Sequence, residues 1–293
     1  MKKLVLLFSA GTLLVIIGVS LVLFPLVGNI LLDNSQQAEI NGWQEYADSL
    51  TDAEITRELE AARAYNESLT GSAVIDDPFG KQDTSVSPKD YDSLLNLRGD
   101  GMMGYIEIPC IEAFLPMYHG TSDKTLDTGI GHLQTTSLPV GGKGTHCALT
   151  GHAGMSSAKL FSDLDLLQEG DVFLLHTLGN TLMYEVDQVK VVLPEDIKEL
   201  RIYPEEDYCT LITCTPYGIN SHRLLVRGHR VPYSEASKSD AHQNEHVRES
   251  TWGSAYVHAL LFGGGVLVFW IALFLLVRRI ILKKKQRSDT KSS

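Results

Sequence analysis

Two long apolar runs bracket a segment in which apolar and polar residues alternate. Residues 4–32 follow Met1-Lys2-Lys3, are almost wholly apolar and carry no charge. Such a run is long enough to cross a bilayer core of about 30 Å. It reads as a signal anchor; the rival reading, a cleavable signal peptide, is disfavoured by its length and by the lack of a small-x-small cleavage site at its end. A second apolar run, residues 255–277, leads into RRIILKKKQR at 278–287. Positive charge beside both runs predicts that both termini face the cytoplasm, which leaves residues 33–254 outside.

Within that outer segment the periodicity changes twice. Trp43, Tyr46, Leu50, Ile55, Leu59, Ala62 and Tyr65 recur at helical spacing, which predicts one or two amphipathic helices within a juxtamembrane region spanning 33–69. Residues 70–100 are polar and rich in Gly, Pro, Ser and Asp, and read as a long loop. From about residue 101 to 235 short strand-like runs dominate: GYIEIPCI, AFLPMYHG, the run Cys147 to Thr150, Asp171 to Thr177, Thr181 to Val192, and the runs before Cys214 and after Arg223. Leu178-Gly179-Asn180 is expected to turn one hairpin. A helix is expected after Thr121 or Ser122, and another at Lys159 to Leu167. Seven or eight short strands with one or two helices predict a small, mainly β domain closed into a barrel. Residues 236–254 form a linker, 255–277 the second span, and 278–293 a basic tail.

One stretch gives the barrel a chemistry. TLITCTPYGINSHRLLVRG, residues 210–228, holds two apolar runs joined by a Pro-Tyr-Gly-Ile-Asn turn. Paired antiparallel, the end of the first strand faces the start of the second, so Cys214 and Arg223 become neighbours at one rim. A thiol beside a guanidinium is a candidate nucleophile with a cationic helper. ALTGH at 148–152 ends another apolar run with His152, a proton partner for such a cysteine. The residues alone do not choose His152 over His119, His132, His146, His222 or His229. Arg227 shares a strand face with Arg223, and nearness to the rim favours Arg223.

These motifs, with GHLQTTSLPVGGKGTH upstream, resemble the sortases, specifically the pilus-assembling class C sortases of Gram-positive bacteria, over about residues 104–231. The resemblance implies an eight-stranded sortase barrel between N- and C-terminal transmembrane helices. It implies Cys214 as nucleophile, His152 as general acid and base, and Arg223 as oxyanion stabiliser, with Thr150, Thr213 and Tyr217 shaping the substrate pocket. Asp77-Pro78-Phe79-Gly80 fits a type I turn on its own. By resemblance, Asp77, Pro78 and Phe79 form a lid whose acid pairs with the catalytic arginine and whose aromatic ring covers the cysteine. The implied reaction cleaves a Leu-Pro-x-Thr-Gly motif between Thr and Gly and joins the acyl group to a lysine of another pilin subunit, without metal or organic cofactor. Housekeeping anchoring of surface proteins to peptidoglycan is the alternative.

Charge and cysteines narrow the choice further. Nine of the 25 Lys and Arg lie in the terminal tails, so the outer segment carries 16 bases against 35 acids. So acidic a surface lacks the basic patches that nucleic acid requires. Cys110, Cys147, Cys209 and Cys214 show neither CxxC nor metal-ligand spacing. A Cys110 to Cys147 bridge is conceivable outside the cell, but Cys110, Cys147 and Cys209 read better as small buried hydrophobes. A phosphatase would need a tight Cys-x5-Arg loop, and a papain-like hydrolase a cysteine at a helix start; neither pattern is present. A wall-sorted surface protein would carry Leu-Pro-x-Thr-Gly just before the last apolar run, where DAHQNEHVRESTWGS stands instead.

Overall fold

Helix α1 (Lys2–Ser49) begins in the first apolar run and continues without interruption through the amphipathic residues that follow. The computed structural model describes residues 2–69, 91–153, 159–196, 198–234 and 251–289. The chain divides into two units, residues 29–250 and the terminal segments. In the terminal unit, the first part of α1 and the C-terminal helix α4 (Thr251–Asp289) are each long and apolar enough to cross a membrane, with mean hydropathy of 2.5 and 2.7 in their richest windows. Large apolar side chains such as Leu14, Leu21, Phe262 and Phe269 stand exposed along both.

The central unit starts where α1 acquires a buried face of Ile40, Trp43 and Ala47. A capping box opens helix α2 (Asp52–Ser68): Thr51 accepts from the Glu54 amide, and the Glu54 carboxylate accepts from the Thr51 amide at 2.9 Å. Its buried face, Leu59, Ala62, Tyr65 and Asn66, docks through polar anchors as well as apolar ones. The Asn66 amide donates to the Leu138 carbonyl at 3.1 Å and accepts from the Leu138 N–H at 2.7 Å, while the Tyr65 hydroxyl donates to the Gln134 carbonyl.

Eight strands close a barrel: β1 (Met102–Ile108), β2 (Ala113–His119), β3 (Ile130–His132), β4 (Thr145–Thr150), β5 (Val172–Thr177), β6 (Asn180–Val192), β7 (Asp207–Thr215) and β8 (His222–Val231). Their order around the barrel is β1-β2-β3-β4-β7-β8-β6-β5. Two junctions, β2–β3 and β4–β7, are parallel and the rest antiparallel. The short helix α3 (Asp123–Thr128), capped by Ser122, supplies the crossover from β2 to β3. Ile106, Met117, Leu149, Phe173, Tyr184, Leu211 and Val226 belong to the main core. A second cluster of Leu133, Ala148, Val192, Leu200, Ile212 and Leu225 lies on the other face of β4, β7, β8 and β6. Burial on both faces explains why these central runs read as continuously apolar rather than alternating.

Two local expectations change. The β5–β6 hairpin turns through two residues, not three: Thr177 pairs with Asn180, and Leu178 and Gly179 both take positive φ (45° and 78°). That is the type I′ geometry whose twist matches paired strands; burial of Leu178 holds a branched side chain where glycine is usual. Residues 159–167 contain turns and one 3-10 turn at Leu164–Leu166 rather than a regular helix.

Candidate active site

Strand β7 carries its apolar run to the barrel rim and ends beside the start of β8, where Cys214 is the direct antiparallel partner of Arg223. On the other side of β7, the parallel register with β4 pairs Thr150 with Ile212. The contact continues past the strand end, since the Gly151 N–H donates to the Ile212 carbonyl at 3.1 Å and the Thr213 hydroxyl donates to the Gly151 carbonyl at 2.7 Å. Two residues beyond the Thr150–Ile212 pair, His152 comes level with Cys214. His152, Cys214 and Arg223 therefore stand on three neighbouring chain segments at one rim.

Each member is held differently. Arg223 is buried, and its Nη1 donates to the carbonyls of Asn220 and His222 at 3.1 and 3.0 Å, so the β7–β8 turn steadies the guanidinium. Cys214 is partly exposed, whereas Cys110, Cys147 and Cys209 are buried, and none of the four is in a disulfide. Cys147 lies opposite Cys209 across the β4–β7 ladder, and no Cys110–Cys147 bridge is present. Burial lowers the His152 pKa from its ordinary value of 6.5, with the nearby carboxylates of Asp127 and Asp123 pulling it back up. A neutral imidazole near neutral pH can take a proton and later return it. Gly151 has no room for a side chain: a Cβ would lie 2.9 Å from the Phe161 ring and 3.1 Å from Ile130.

Four of the competing residues are occupied elsewhere. Arg227 is held by both carboxylate oxygens of Asp187, at 2.9 and 3.1 Å, and lies over the Tyr208 ring. His146 is buried between the Arg201 carbonyl and the Thr210 hydroxyl, and burial pushes its pKa down to about 4. His132 bridges Tyr91 and the Ser137 carbonyl, and His119 lies between the carbonyls of Gly101 and Leu94. The hydroxyls of Thr150 and Thr213 are buried and bond to backbone carbonyls of the adjacent segment, so they brace the rim. Tyr217 is exposed at the tip of the β7–β8 turn, close to Ile219. The expected lid residues Asp77, Pro78 and Phe79 lie outside the described residues. Among the described residues no group of three or more His, Cys, Asp or Glu is arranged to hold a metal ion. The Asn220 carbonyl was not singled out by sequence; a residue in left-handed conformation (φ 58°) closing a tight turn next to Arg223 was the available signal.

Residues 106–231 match the sortase domain family. The structure is similar to that of Streptococcus pneumoniae sortase C, at 44% identity and a TM-score of 0.61, covering 67% of this chain and 97% of that one. Similarity extends to Streptococcus agalactiae sortase C1 (42% identity, TM-score 0.63, 69% and 98% covered) and Actinomyces oris sortase C-1 (50%, 0.58, 61% and 99%). Among curated relatives, Bacillus subtilis sortase D is 29% identical over 131 residues, covering 44% of this chain and 63% of that protein. The chain thus spans less than two thirds of the length of the curated relatives it matches.

Proposed function

The chain belongs to the sortase family, and on that premise we propose that it is a membrane-anchored class C transpeptidase that polymerises pilin subunits. In this reading Cys214 passes its thiol proton to His152 and attacks, as the thiolate, the Thr carbonyl of a Leu-Pro-x-Thr-Gly motif. Arg223 donates hydrogen bonds to the oxyanion as the tetrahedral intermediate forms, an interaction of the kind worth several kcal/mol at such centres (roughly 3–4). His152 protonates the departing glycine amine, leaving a thioester on Cys214. A lysine amine of the next subunit attacks the thioester, His152 accepts its proton, and an isopeptide bond releases the free thiol.

The observation that carries this reading is the rim alignment of His152, Cys214 and Arg223 on three adjoining segments, with the rival Arg227 committed to Asp187. Support for the pilus assignment comes from the similar structures, one of which is described in terms of pilin substrate specificity and another as sortase C1 of a pilus island. The two apolar helices support anchoring at both ends with the barrel outside the cell. Asp77, Pro78 and Phe79 complete the proposal as a lid over the rim, displaced when substrate enters.

The acceptor decides between pilin polymerisation and wall anchoring. Full-length protein in detergent micelles, loaded with a Leu-Pro-x-Thr-Gly peptide, is offered a pilin domain and a peptidoglycan stem peptide together. Predominant isopeptide linkage to a pilin lysine supports the proposal. Predominant linkage to the stem amine replaces it with housekeeping anchoring.

A further inference from the structure

The segment returning beside His152 is fastened more firmly than a surface connection requires, and a single lysine is at its centre. The Lys159 backbone N–H donates to the Asn29 side chain of α1 at 2.8 Å. Its ammonium donates to the Ile111 carbonyl at 2.8 Å and pairs with Asp163 at 3.1 Å. Asp163 is buried, and its second carboxylate oxygen has no hydrogen-bond partner, so Lys159 is its only charge partner among the described residues. Asp33, held by Asn29 at 3.0 Å, faces the same ammonium; burial raises the Asp33 pKa and Lys159 pulls it back down. Asp165 completes the charged groups around the cluster, raised by burial and by Asp163.

Next to this hub the backbone is strained. Leu160 is buried with φ of 39°, a conformation that a branched residue adopts only when its surroundings impose it. The following residue, Phe161, donates its N–H to the His152 carbonyl at 3.0 Å, and its ring fills the space that a Gly151 side chain would need. Lys159 thereby joins three elements, α1, the 3-10 turn after β1 and the Asp163 turn, and the strained Leu160 transmits that fixed point to the backbone of the catalytic histidine.

We propose that Lys159 is a positioning residue for His152: its buried ion pair with Asp163 and its bonds to Ile111 and Asn29 hold the histidine backbone level with Cys214. The proposal rests on the transpeptidase reading for its kinetic consequence but not for its structural one. Loss of such a hold displaces a general acid by a fraction of an ångström to an ångström, enough to cost roughly ten- to a hundred-fold in rate.

The test compares the full-length parent in detergent with Lys159→Met, Lys159→Arg and a control, Leu174→Ala, which truncates a buried side chain in a separate apolar cluster with Val172 and Met183. Two readouts are taken: acylation by a Leu-Pro-x-Thr-Gly peptide, and the His152 imidazole pKa by NMR of histidine-labelled protein. Lys159→Met is expected to lower kcat roughly ten-fold or more with KM within about two-fold. It should also raise the His152 pKa toward its ordinary value as burial is relaxed. Lys159→Arg recovers most of both, and Leu174→Ala loses thermal stability while changing neither. If Lys159→Met does not fold, the double variant Lys159→Met/Asp163→Leu removes the orphaned carboxylate and carries the same expectation. An unchanged His152 pKa in folded Lys159→Met overturns the proposal, whether or not the parent turns over peptide. An inactive parent with a shifted His152 pKa counts against the transpeptidase reading and leaves the positioning role standing.

Discussion

His152 and His146 show how one residue type takes two roles through environment. His152 sits half-buried at the rim, where burial lowers its pKa and carboxylates oppose the shift. His146 is locked inside with both ring nitrogens bonded, and its pKa falls from 6.5 to about 4. Above 6.5 neither the folded nor the unfolded state protonates His146, so its contribution to stability is fully present. As pH falls toward 4 the unfolded state takes up a proton that the folded state refuses, and stability is lost by up to about 3 kcal/mol. Urea unfolding midpoints measured between pH 7 and 4 should decline steadily, and less steeply in a His146→Gln variant; a flat profile would contradict the assignment. At this scale the sequence placed Cys214 beside Arg223 from strand register alone, because hairpin pairing depends on local spacing. Selecting His152 needed the family resemblance: its level with Cys214 depends on the parallel β4–β7 pairing across about sixty residues, which no local pattern encodes.

Among the elements, the β4 terminus controls how closely His152 approaches its neighbours. Gly151 lies against Phe161 and Ile130, two buried side chains with little freedom to retreat. Gly151→Ala should therefore destabilise the fold by about 1–3 kcal/mol and reduce acylation beyond what the lost folded fraction explains. Thermal midpoint and single-turnover rate on the same samples test this; a variant as stable and as fast as the parent would show that the site yields more than the contacts suggest. The proposed lid belongs to this scale too. Phe79→Ala should speed thiol-reagent labelling of Cys214, and equal rates in variant and parent would remove the lid from the account. The strands and their order along the chain were legible because apolar β-branched runs alternate with Gly- and Asn-containing turns. The short β5–β6 turn was not, since a buried Leu178 at positive φ runs against residue preference and is held there by tertiary packing. Residues 159–167 carry a helical apolar pattern, yet the bonds of Lys159 to Asn29, Ile111 and Asp163 draw them into turns instead.

For the whole molecule, the sequence runs from an apolar helix with a basic flank through an acidic central segment to a second apolar helix with a basic flank. Composition argued against nucleic acid and the apolar runs marked two candidate spans, but neither showed that α1 continues unbroken to Ser49, because Pro25 and the Asn41-Gly42 pair interrupt the helical pattern in the sequence. The decisive question is whether this barrel rim performs acyl transfer through Cys214. Intact-mass analysis of the full-length chain in detergent, incubated with a Leu-Pro-x-Thr-Gly peptide, addresses that directly, with the Phe79→Ala variant and a Cys214→Ala control run alongside. The expected result is an adduct of the peptide acyl portion, formed in the parent and faster with Phe79→Ala, absent in Cys214→Ala and removed by hydroxylamine. No adduct and no cleaved peptide, even with Phe79 removed, would contradict it.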